Sequence, residues 1–203
     1  MNRRSILLFA SIGIAAALAG ALLAQLRSPP VVTLESGTWL PQRRALAPFQ
    51  LRDLAGRPFD TATLAGHPTL LFFGFTACPD VCPTTLATLA RMQRSAPLPH
   101  AQVVFVTIDP ERDSADNLRV YLAAFSQDFL GLRGSNEALA PLLKSLGAIA
   151  ARQSLPDGSY TMDHSATLYL LDTQGRLAAV FSPPFDATRL AADLQRIAAA
   201  DQL

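Results

Sequence analysis

The segment that most limits what this chain can become is Thr69 to Pro83, reading TLLFFGFTACPDVCP. Thr69 to Phe75 is a continuous apolar run too short for a typical helix, so it predicts a strand buried on both faces. Both cysteines of the chain follow at once, in Cys78-Pro79-Asp80-Val81-Cys82-Pro83. From Pro83 to Gln93 the residues Leu86, Leu89 and Ala90 share one helical face, and Val103 to Ile108 is a second buried-strand run. A strand, a helix and another strand in one sheet imply parallel strands with a right-handed crossover. The cysteines therefore sit at the carboxyl end of a central strand.

The remainder extends this pattern. Asp113 or Ser114 is placed to cap a helix to about Phe125, Leu130 to Leu132 suggests a short strand, and Ser135 and Gly147 bracket another helix that Pro141 bends. Thr167 to Leu171 and Leu177 to Phe181 read as strands joined by a loop containing Gly175, and Asp186 caps a closing helix with Leu190, Leu194 and Ile197 on one side. Phe49-Gln50-Leu51 and the turn at Gly56 suggest an added amino-terminal hairpin. Parallel units, then an antiparallel hairpin, then a helix give an α/β class with a central mixed sheet flanked by helices, an order that looks like a thioredoxin fold.

The chain has 203 residues, 50% of them hydrophobic, enough to bury one core without disulfides or metals as staples. Net charge is +1, and Arg3, Arg4 and Arg27 flank an apolar run, leaving the remainder slightly acidic. With one lysine and scattered arginines it lacks the clustered cations of a nucleic-acid surface.

That apolar run, Ile6 to Leu26, contains no charge and as a helix would reach ~31 Å, about one hydrocarbon core. Its length favours a retained membrane anchor over a cleaved signal peptide, although Ala17-Leu18-Ala19 offers small residues at a cleavage spacing. Arg3 and Arg4 favour an inside amino terminus. The expected layout is an anchor over residues 1–27, a linker over 28–36 and one domain over 37–203, facing an oxidising space outside the cytoplasm.

The residue before a proline is pushed out of the helical region, so Cys78 and Cys82 are expected in an extended loop with the helix opening at Pro83. A helix amino terminus should lower the Cys82 thiol below its model value of ~8.5, and both thiols are expected near the surface. Three intervening residues allow the sulfurs to share a soft metal ion or to close as a disulfide. A purely structural staple would add roughly 2 kcal/mol, which a domain of this size hardly needs.

Of three histidines, His67 and His100 lie in proline-flanked turns and read as ordinary surface or satisfied core residues, not ligands. His164, in Tyr160-Thr161-Met162-Asp163-His164-Ser165, precedes the strand from Thr167, and in a thioredoxin fold the loop before that strand lies beside the cysteine loop. Two thiolates and an imidazole suit Cu(I), and with a fourth ligand Cu(II) or Zn(II). Met162 is expected to fill a gap beside the hairpin.

FFGFTACPDVCPTTL at 72 to 86, VTIDPERDS at 106 to 114 and YTMDHSATLYLLD at 160 to 172 resemble the Sco/SenC family of copper-binding assembly factors for cytochrome c oxidase, over about Gly37 to Leu194. The resemblance implies one copper per chain, as Cu(I) or Cu(II), held at the positions of Cys78, Cys82 and His164. Asp109 matches an acidic position that supports such sites, its plainer reading being a turn former at a strand end. The implied partner is oxidase subunit II, whose dinuclear copper site receives copper or thiol reduction, with another periplasmic copper carrier as a donor. The competing function is a thiol-disulfide oxidoreductase acting through Cys78 and Cys82 without an obligatory metal.

Overall fold

The computed structural model describes residues 9, 12–14, 16–20, 32–95 and 101–200. The chain divides into two units, Met1–Val31 and Val32–Leu203. In the first, the described residues are helical. The expected anchor lies mostly outside the described residues, as does His100, and among the described residues no helix is long and apolar enough to cross a membrane.

In the second unit the strands are β1 (Gly37–Arg44), β2 (Gln50–Asp53), β3 (Pro58–Asp60), β4 (Thr69–Gly74), β5 (Gln102–Thr107), β6 (Leu130–Arg133), β7 (Ala150–Ser154), β8 (Tyr160–His164), β9 (Leu168–Leu171) and β10 (Leu177–Phe181). The helices are α1 (Val81–Ser95), α2 (Ala115–Ala123), α3 (Asn136–Leu146) and α4 (Ala187–Ala199). Eight strands form one sheet in the order β1-β10-β9-β4-β5-β6-β2-β3. β4, β5 and β6 run parallel, β9 lies antiparallel beside β4, and β10 pairs antiparallel with β9. The inner order β10-β9-β4-β5 with its crossover helix is the thioredoxin-like arrangement, extended at one edge by the β2–β3 hairpin and at the other by β1.

Burial explains the layout. Every residue of β4 and β9 is buried, as expected for strands with neighbours on both edges and cover on both faces. Phe72, Phe73, Phe105 and Leu71 are among the largest fully enclosed side chains. Helix boundaries follow local chemistry: the Ser114 and Ser135 side chains accept from Asn117 N–H and Ala138 N–H, and Asp186 accepts from Thr188 and Arg189 N–H. Gly147 ends α3 with φ 66°, the left-handed cap that favours glycine.

Three strands depart from the sequence expectations, β1, β7 and β8. β1 carries Pro41 and an irregular burial pattern, so it shows neither alternation nor an apolar run, which suits an edge strand. β7 and β8 form a separate two-stranded sheet. β7 is almost entirely exposed and polar, giving periodicity nothing to register.

Candidate metal centre

The floor of the site is the end of β4. A Cβ placed on Gly74 would meet the Phe105 ring at 2.7 Å and Cys82 Sγ at 2.9 Å, so only glycine lets the sulfur lie over the strand end. Sequence reasoning passed over Gly74; a glycine closing an apolar strand just ahead of a functional loop was the available signal.

The cysteine loop differs from expectation. Helix α1 begins at Val81, so Cys82 belongs to its first turn and is not part of an extended loop. Pro83 is tolerated there because first-turn N–H groups have no intrahelical acceptor, and this outweighs the proline's bias on its predecessor. Cys78 is half-buried while Cys82 has 0% exposure, which corrects the expectation that both thiols reach the surface. Both are free.

Burial also corrects the expected acidity. Loss of water pushes the Cys82 thiol above its ordinary value, helped by the neighbouring Cys78 and Asp113 and only partly opposed by a hydrogen bond with the Phe75 backbone. Magnitude decides the direction: a helix terminus is worth ~0.3–1 kcal/mol, whereas full burial can move a pKa by ~3–5 units, each ~1.4 kcal/mol. Without metal, Cys82 is therefore a protonated, buried thiol.

A pH dependence follows. The unfolded chain releases this proton near ~8.5 while the folded domain retains it, so the contribution is complete below that pH and falls away above it. Urea midpoints of the metal-free protein should drop between pH 7 and pH 9.5, and Cys82→Ser should lessen the drop. Equal drops in both proteins would overturn this account.

His164 is the last residue of β8, not part of a loop before β9, yet it arrives where expected. Its Nε2 lies 3.5 Å from Cys82 Sγ, and its Nδ1 lies 3.1 Å from the Ser165 carbonyl. A carbonyl only accepts, so Nδ1 carries the proton and Nε2 turns its lone pair toward the sulfur. Phe72 and Phe75 hold the ring edge-on at centroid distances of 6.0 and 5.9 Å. Burial lowers the imidazole pKa, against opposing effects of the Ser165 backbone and Asp163, and so favours the neutral form that can bind metal.

Ligand atoms of Cys78, Cys82 and His164 all lie within 4.8 Å of one another. Two sulfurs and one lone-pair nitrogen fit a soft or borderline ion, and the half-buried Cys78 leaves a way in. Met162 packs against the core from β8, in keeping with a filling role.

Asp109 is 3% exposed. It accepts from Tyr160 O–H at 2.9 Å and pairs with Arg112, reaching the β8 strand that bears His164. The sequence marks Asp113 only as an alternative helix cap, a position that Ser114 takes. Its buried carboxyl instead accepts from Thr76 N–H and from the hydroxyls of Thr76 and Thr107, pinning the start of the cysteine loop to β5. His67 is exposed and is not among the residues whose ligand atoms converge here.

A thioredoxin-like domain with two thiols and an imidazole converging at the end of its central strand defines a class, the thiol-based metal and redox proteins of that fold. Within it, residues 40–199 match the SCO1/SenC family, and the chain belongs to that family. A Stutzerimonas stutzeri protein named as a candidate copper binder is 39% identical over 148 residues, 71% of this chain and 72% of that one. The copper-bound structure of ScoI from Bradyrhizobium japonicum superposes with TM-score 0.67 and 38% identity, covering 74% of this chain and 98% of that one. The solution structure of apo Sco1 from Thermus thermophilus gives TM-score 0.72 and 38% identity, covering 82% and 98%.

Proposed function

We propose that this chain is a copper-binding protein of cytochrome c oxidase assembly, holding one copper between Cys78, Cys82 and His164. It delivers copper to the dinuclear site of oxidase subunit II, or keeps that site's thiols reduced. The observation that carries this reading is the convergence of the three ligand atoms within 4.8 Å, with the His164 lone pair facing Cys82. The copper held by the Bradyrhizobium relative supports the choice of metal.

In this reading, residues 1–27 form a membrane anchor, 28–36 a linker, and 37–203 an extracytoplasmic domain that receives copper from another periplasmic carrier. The charge-free run Ile6 to Leu26 supports the tether. Anaerobic Cu(I) titration of the full chain in detergent should saturate near one metal per chain, and His164→Ala should weaken retention while leaving both thiols titratable. Saturation unchanged by replacing all three ligands would sink the proposal.

One observation favours a second reading: a half-buried Cys78 beside a buried Cys82 suits an attacking and a resolving thiol. Cys78 would open a partner disulfide to a mixed disulfide, and Cys82 would then displace the reduced partner, passing two electrons to it. Reductase turnover undiminished in His164→Ala but lost in either cysteine variant would favour this reading over copper delivery.

A further inference from the structure

We propose that Tyr160 is a positioning residue for His164, fixing through β8 where the imidazole stands relative to the two sulfurs. The inference rests on the metal-site reading above, but its structural half can be tested without metal.

The β7–β8 hairpin that carries His164 shares no hydrogen-bonded ladder with the eight-stranded sheet. Two-stranded hairpins are marginally stable by themselves, so side chains must hold this one in place. Ser165 N–H donates to the Ile149 carbonyl and Ile149 N–H to Ser165 Oγ, but these bonds close the hairpin on itself and fix nothing outside it.

Tyr160 opens β8, four residues before His164, and strand periodicity puts both on one face about 13 Å apart. Its hydroxyl donates to buried Asp109 at 2.9 Å. Its ring lies between two guanidinium groups, Arg112 at 3.9 Å and Arg152 at 3.6 Å from the centroid. Each arginine is held in turn. Arg112 pairs with Asp109 and donates to the Tyr160 carbonyl at 2.9 Å, and Arg152 pairs with Glu111 at 3.1 Å.

This clamp joins the hairpin to the Asp109–Arg112 segment after β5. Arg112 also lies 5.7 Å over the ring of Phe75, which in turn approaches His164 edge-on. The imidazole and the strand end bearing the cysteine loop thus share one set of anchors. Loss of the clamp would free the third ligand while leaving the Cys82 sulfur over Gly74 on α1 and Cys78 tied through its N–H to the Phe75 carbonyl.

The full chain in detergent tests this with Tyr160→Leu, which removes both the stack and the hydroxyl, and Tyr160→Phe, which keeps the stack. In the metal-free protein, Tyr160→Leu should speed amide exchange across Thr161 to His164 by about tenfold or more with β4 and β5 unchanged. Loaded with Cu(II), it should lose most of the imidazole-nitrogen superhyperfine splitting in its EPR spectrum while retaining both thiols. Tyr160→Phe should restore most of each property. Exchange that stays at the wild-type rate, or rises equally in β4 and β5, would overturn the proposal, as would a full imidazole signature in Tyr160→Leu. A wild-type chain that takes up no copper would defeat the functional reading alone, and the exchange comparison would still decide whether Tyr160 holds the hairpin.

Discussion

Cys82→Ser should reduce Cu(I) retention by roughly a thousandfold or more, because supporting partners alone are typically worth about 10–100-fold and Cys82 is proposed as a direct ligand. The domain should remain folded. Serine is close in size to cysteine, and Cys82 Sγ already has a polar neighbour in His164 Nε2 at 3.5 Å. The remaining pair, Cys78 and His164, offers one sulfur and one nitrogen, too few to hold Cu(I) against a competing chelator. Binding should also strengthen with rising pH in the wild-type protein, since metal must displace the proton that burial keeps on Cys82. Competition titrations with a Cu(I) chelator across pH 6 to 8 check both points. Retention within a few-fold of wild type in Cys82→Ser would mean that the metal is held elsewhere.

Asp113→Ala should destabilise the domain by about 3 kcal/mol, the cost of leaving several buried donors without an acceptor. The carboxyl has 0% exposure and receives Thr76 N–H, Thr76 O–H and Thr107 O–H. For a domain of this size the loss corresponds to a fall of roughly 10 °C in Tm. Because Thr76 lies two residues before Cys78, metal retention should weaken as well, whereas Asp113→Asn, which keeps one acceptor oxygen, should lose less of both. Thermal unfolding of the two variants decides the matter, and an Asp113→Ala midpoint equal to wild type would show that these bonds are dispensable.

Much of the fold was legible along the chain because its signals are local. The run TLLFFGF is buried throughout, its first six residues as β4, Ser135 and Gly147 cap α3, and Asp186 caps α4. The β2–β3 hairpin was visible in Phe49-Gln50-Leu51 and the turn at Gly56, which adopts φ 81°. Illegible elements were those whose stability comes from elsewhere. β1 is an edge strand on β10, and polar β7 exists because β8 pairs with it. Neither carries a periodic apolar signal of its own.

Sequence by itself determined the donor types, Cys78, Cys82 and His164, and the order of elements that brings their segments to one end of a sheet. Tertiary structure alone decided how those donors behave. A helix terminus predicts an acidic, exposed Cys82, but α1 lies against the core with that sulfur over Gly74, and the cost of removing water reverses the sign. The supporting roles of Asp113 and Tyr160 also depend on partners 37 and 51 positions away in the chain, Thr76 and Asp109. Such contacts leave no local mark, since hydrogen bonding and desolvation depend on distance in space and not on separation along the chain.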